Sequence, residues 1–121
     1  MSDLTLLGPT RSERPAFRFR TRLDGAYYVF RLAWNSRYRR WYLDIADIAG
    51  NVAVTGLAVV VGHDLLAAVP GTYRPPGQLY VTDDSGAGRL PGLTGWRADH
   101  RMIYRPAADV LAAAGTSREV R

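Results

Sequence analysis

Between Phe17 and Leu23 the chain alternates strictly, with Phe17, Phe19, Thr21 and Leu23 on one side and Arg18, Arg20 and Arg22 on the other. A period of two is the mark of a half-buried β-strand. Asp24-Gly25 follows at once, a pair that readily adopts the positive φ angles of a type I′ hairpin turn. The return strand is predicted over residues 27–34, with Tyr28, Phe30, Leu32 and Trp34 as its inner set. A turn over Asn35 to Arg39 leads into a third strand, residues 41–48, with Trp41, Leu43 and Ile45 facing in and Tyr42 and Asp44 facing out. Ala49-Gly50-Asn51 makes the next turn, and residues 52–61 read as a fourth strand with a bulge at Gly56. The core anchors of this meander are Phe17, Phe19, Phe30, Trp34, Trp41 and Leu43. Trp34 and Trp41 each carry about 200 Å² of apolar surface, which favours burial over a base-stacking platform.

Beyond the meander the pattern weakens. Leu65 to Val69 forms a short apolar turn or helix, halted by Pro70-Gly71 and Pro75-Pro76-Gly77. Residues 78–83 read as a fifth strand, with Leu79 and Val81 inside, and residues 101–105 as a sixth. Between them, residues 84–99 hold Gly86, Gly88, Gly92 and Gly95, the composition of an irregular loop used for contacts. Pro106 is placed to open a short helix over 107–114, capped by Gly115, before a disordered tail. In the arm, Leu4-Thr5-Leu6-Leu7 is expected to fray unless it adds an edge strand to this protein or a neighbour. The predicted fold is therefore all-β: a small antiparallel barrel or sandwich of five to six strands built on a meander, with short helical segments. Its divisions are an N-terminal arm (1–15), a β-domain (16–106) and a C-terminal helix and tail (107–121).

At 121 residues the chain can bury one core. Cysteine is absent, which removes disulfides and thiolate metal sites. An apolar leader and a run of membrane-spanning length are also absent, so a soluble, unsecreted protein with no membrane span is expected. Charge changes the picture more. All 16 basic side chains are arginine, and residues 1–40 hold nine of them against Asp3, Glu13 and Asp24. The remaining 81 residues hold seven arginines against eight acids, so the basic character belongs to the first hairpin and the turn after it. Guanidinium groups favour bidentate contact with carboxylate or phosphate. Arg18, Arg20 and Arg22, with Arg37, Arg39 and Arg40 of the second turn, are therefore candidates for a partner interface, joined by Leu4, Leu6 and Trp96.

Catalytic chemistry finds little support. His63 and His100 have only the adjacent Asp64 and Asp99 nearby in sequence, and neighbours on a strand face opposite ways. Asp83-Asp84-Ser85-Gly86 lacks the ligand series of a calcium loop, and Gly86-Ala87-Gly88 lacks the lysine of a phosphate loop. No enzyme, cofactor or metal is expected; a hydrolase using Asp83, Asp84 or His100 is the weakest reading.

An ordered series of segments does carry a resemblance. It comprises Phe17 to Leu23, Leu32-Ala33-Trp34-Asn35-Ser36-Arg37, Trp41-Tyr42-Leu43-Asp44-Ile45 and Gly56-Leu57 to His63-Asp64-Leu65-Leu66, then Pro75-Pro76-Gly77-Gln78-Leu79 with Asp83 and Met102-Ile103-Tyr104. In this series the chain resembles the baseplate plug family of contractile-tailed phages over residues 17–106. Residues 89–98 depart from the pattern. The resemblance implies a structural subunit near the central hub or tube start, present in several copies and carried in the virion after assembly in the host cytoplasm. Its implied partners are other baseplate, hub and tail-tube proteins. The alternative is an OB-like barrel binding single-stranded nucleic acid through Arg18, Arg20, Tyr27, Arg31 and Tyr42; nucleic acid is the less expected partner.

Overall fold

The computed structural model describes residues 3–7, 15–71 and 73–111. Asp24 and Gly25 take φ angles of 50° and 83°, and they join β2 (Ala16–Leu23) to β3 (Ala26–Asn35) as the expected two-residue turn. The register pairs Leu23 with Ala26, Phe19 with Phe30 and Phe17 with Leu32, which puts the apolar set of both strands on one face. In the turn that follows, the Asn35 side-chain oxygen accepts from the amides of Arg37 and Tyr38, both at 3.0 Å. β4 (Arg40–Asp47) returns with Trp41 opposite Trp34. Asp47 Oδ1 then accepts from Ala49 N and Asn51 N, closing the third turn.

β5 (Val52–Ala58) is shorter than the predicted 52–61. Its pairing with β4 slips on both sides of Ile45, and the Gly56 amide donates to Asp44 Oδ1 at 2.8 Å, which is the bulge expected there. Val59 still bonds Trp41 O, but the chain then crosses to a second sheet, where Gly62 N and Leu65 N donate to Val81 O and Leu79 O. Leaving β4 for the new partner is what ends β5.

The second sheet is β1 (Leu4–Leu7), β7 (His100–Arg105) and β6 (Gln78–Asp83), in the order β1-β7-β6 and antiparallel throughout. The first has the order β2-β3-β4-β5. The two sheets make an open sandwich and no closed barrel, so the described residues hold seven strands where five to six were expected. The added strand is the arm. Leu4 pairs with Tyr104, while Leu6 and Leu7 enter the core. Leu6, expected to face a partner, is 7% exposed because its own chain supplies β7 as the neighbouring strand. Residues 107–111 are helical and begin behind Pro106, as predicted; residues 112–121 lie outside the described residues.

Phe30, Leu32, Leu43 and Ile45 from the first sheet meet Leu79, Val81, Met102 and Tyr104 from the second. Residues 65–69 plug the end, burying Leu65, Leu66 and Val69. Arg74 organises that plug: its guanidinium donates to the carbonyls of Leu66 (2.6 Å), Val69 (3.3 Å), Pro75 (3.1 Å) and Gly77 (3.2 Å). Its charge is spent on chain closure, a role that no sequence pattern indicated.

Tyr104 is the tie between sheets. Its buried hydroxyl donates to Asp24 Oδ2 at 2.6 Å and accepts from Gly77 N at 2.7 Å. Burial, followed by the bond to Asp24, raises its pKa well above that of an ordinary phenol. Asp24 also accepts from Ala107 N, so one carboxylate links the β2–β3 turn, β7 and the C-terminal helix. A Cβ on Gly77 would lie 2.1 Å from Arg105 O, so no side chain fits at that position.

Tyr104→Phe leaves the buried Gly77 amide without its acceptor and unties β7 from the hairpin tip, so we expect a loss of about 1–3 kcal/mol in urea unfolding. Gly77→Ala, which must displace backbone, is expected to cost at least as much, about 3 kcal/mol.

Candidate partner interface

The outer face of the four-stranded sheet carries the arginines. Register sets Arg18 opposite Arg31, Arg20 opposite Val29 and Arg22 opposite Tyr27. Arg31 is engaged by Asp44 at 3.3 Å. Among the described residues, Arg18, Arg20 and Arg22 meet no carboxylate. Arg20 and Arg22 instead sit 5.8 and 5.9 Å from the ring centroid of Tyr27, which is 49% exposed. Next to this row lies a shallow cleft of about 220 Å³, lined by Arg18, Val29, Arg31, Asp44, Ala46 and Val52. A basic rim thus borders a small apolar floor.

A second basic feature stands at the β3–β4 turn. Arg37 and Arg39 are exposed, whereas Arg40 is half-buried and its Nε has no hydrogen-bond partner. Arg39 and Trp34 border a cleft of about 370 Å³ with Leu90 and Leu93 on the far side. Those two leucines are 42% and 45% exposed, and sequence reasoning missed them because an aperiodic glycine-rich loop offers no face to read.

Trp96 is a correction. Expected at an interface, it is 1% exposed, with its ring edge-on to Trp41 (6.1 Å) and to His100 (6.4 Å). Phe17 (5.8 Å) and Trp34 (5.6 Å) flank Trp41 from the other side, and Trp41 Nε1 donates to Gly92 O at 2.8 Å. The residue 84–99 loop is therefore folded back onto the core, because an indole of about 200 Å² gains more there than in water. Of the core anchors, Phe30, Trp41 and Leu43 are fully buried; Phe17, Phe19 and Trp34 are half-buried and pack against them. Leu4 is 44% exposed at the end of β1.

The candidate hydrolase residues fall into the closure of the same loop. Asp83, with its side chain 1% exposed, accepts from Ser85 Oγ (2.6 Å), Ser85 N (3.0 Å) and Arg89 N (3.0 Å). Asp84 is paired to Arg101. The buried His100 donates Nε2–H to Arg89 O at 2.7 Å, and its Nδ1 is without a partner beside Gly95, where an added Cβ would stand 3.0 Å away. Ser85 is thus bonded to a carboxylate and His100 to a carbonyl, an arrangement that fastens a loop. His63 is exposed. Among the described residues no cluster of His, Asp or Glu is placed to hold a metal ion, and no helix is long and apolar enough to cross a membrane.

Two facing antiparallel sheets with a loop sealed onto the core define a small β-sandwich that carries, among the described residues, a row of three arginines along one strand with no carboxylate partner. The OB-like alternative loses its scaffold, since the sheets do not close into a barrel. A family model described as cyanophage baseplate Pam3 plug gp18 matches residues 7–107, and the chain belongs to that family. Membership assigns it a structural role in the phage tail baseplate and a place in the virion. No curated protein matches the chain.

The Asp83 carboxyl is held well below the usual carboxylate range, chiefly by the Ser85 hydroxyl and then by the Arg89 amide. Because the folded-state pKa is the lower one, its stabilising effect is complete above the unfolded carboxyl's pKa of about 4 and fades as pH falls below it. Asp83→Asn should therefore lower the melting temperature at pH 6, by a margin that shrinks in scans toward pH 2.

Proposed function

We propose that the chain is a non-enzymatic subunit of the central hub or plug region of a contractile tail baseplate, present in several copies. It acts through contacts with other baseplate, hub and tail-tube proteins, and joins them in the host cytoplasm. The observation that carries this reading is the row of Arg18, Arg20 and Arg22: three guanidinium groups on one strand, in a protein of the plug family, with no acid to neutralise them among the described residues. Arginine is enriched at protein interfaces, where a carboxylate on the partner can engage it bidentately. Arg39, Leu90 and Leu93 offer a second contact point at the β3–β4 turn.

The test is charge reversal. Arg18→Glu, Arg20→Glu and Arg22→Glu together leave the core untouched and should shift folding stability by no more than about 0.5 kcal/mol per site. We expect the triple variant to be lost from purified tails while a variant at the exposed His63, His63→Gln, is retained, as read by mass spectrometry of the particles. Retention of the triple variant at the wild-type copy level would remove the arginine row from the interface. Single-stranded DNA binding with a steep salt dependence would instead favour a nucleic-acid face.

A further inference from the structure

The edges of the two sheets are not equivalent. β6 is covered, because residues 62–65 bond its outer side through Gly62 N and Leu65 N. β1 has only four residues, and β5 is twisted by its bulge and its register slips. β2 is different: eight residues in unbroken register with β3 and, among the described residues, no strand beyond it in the sheet. Natural sheets normally blunt such an edge, and the device on this one is the arginine row, which repels a like-charged strand but not an acidic one.

The hydrogen-bonding phase of β2 is fixed at both ends. Leu23 and Ala26 flank a two-residue turn and so form a bonded pair, and Trp34 N donates to Pro15 O at 2.7 Å with the same parity. Odd-numbered residues therefore direct their peptide groups to β3. The N–H and C=O groups of Arg18, Arg20 and Arg22 point away, toward the open edge, and none has a backbone partner among the described residues. The residues whose side chains await acids are thus the residues whose backbones await a strand.

We propose that β2 is an acceptor for strand addition, and that its occupant is an extended segment of another baseplate protein in which acidic residues alternate with apolar ones. The inference rests on the baseplate reading above and specifies how the contact is made. Acidic side chains of the incoming strand would lie beside Arg18, Arg20 and Arg22 on the outer face; the apolar ones would lie beside the half-buried Phe17 and Phe19 on the inner face. A second copy of this chain is disfavoured as occupant. Antiparallel self-pairing of β2 would bring two arginine rows together, and like charges across a strand pair repel.

Hydrogen exchange at these amides decides the matter. In the free chain the amides of Arg18, Arg20 and Arg22 are expected to exchange fast and those of Phe19 and Thr21 slowly. In assembled tails the first three should slow by about tenfold or more, as newly bonded edge amides do. Arg20→Pro removes the edge donor without breaking a β3 bond, so it should lower incorporation well below that of Arg20→Ala at an equal unfolding midpoint. Fast exchange of the three amides in tails that contain the chain would overturn strand addition and leave the baseplate role standing. Absence of the chain from tails would overturn both. Slowing of the same amides by a single-stranded oligonucleotide, and not by tails, would assign the edge to nucleic acid and overturn the proposal.

Discussion

The hydrogen bond from Tyr104 to Asp24 joins residues 80 positions apart and sets how the two sheets sit. A buried phenol hydroxyl without partners is costly, and the exposed Asp24 carboxylate at the hairpin tip reaches in to accept from it. Gly77 N supplies the second partner of the hydroxyl, and Ala107 N another to the carboxylate. The tip of the first hairpin, the segment before β6, β7 and the start of the C-terminal helix are consequently held at one point, and the apolar faces between them close as a single core.

At the opposite end of β2 the restraint is apolar. Phe17 packs edge-on to Trp41, which Trp34 and Trp96 flank, and Trp96 in turn meets His100. The seam holds β2 against the second sheet through the folded-back loop, and Asp83 keeps that loop in place through its bonds to Ser85 and Arg89. Fixed at the turn by Asp24 and at the start by Phe17, β2 is presented as a straight edge between two anchored ends. An edge that is already ordered loses little conformational entropy when a strand joins it, which suits a fitting between larger subunits.

This arrangement also accounts for the distribution of charge. Asp44, Asp84 and Asp99 each reach an arginine of β3, β7 or the loop, and Asp3 reaches Arg105. Such exposed pairs contribute little to stability. Their effect is to leave the excess positive charge of the first forty residues on β2 and on the β3–β4 turn, where it can act on a partner at a distance of several ångströms.

The amino-acid sequence by itself determined the meander. Alternation in residues 17–23, the Asp24-Gly25 turn, the inner faces of β3 and β4 and the bulge at Gly56 are local properties, set by side-chain period and turn chemistry, and each is where the pattern placed it. The arginine row was visible for the same reason. What only the tertiary structure decided concerns partners distant in the chain. Leu4 to Leu7 could have paired with any edge, and β7 took it; Trp96 lay in a segment without periodicity, and the indole of Trp41 with the carbonyl of Gly92 drew that segment inward. Arg74 looks in sequence like any surface cation, yet it closes a loop by binding four carbonyls. Periodicity reports which face of a strand is apolar, because that is a property of neighbouring residues; which surface covers that face depends on long-range packing and is written in no single stretch of the chain.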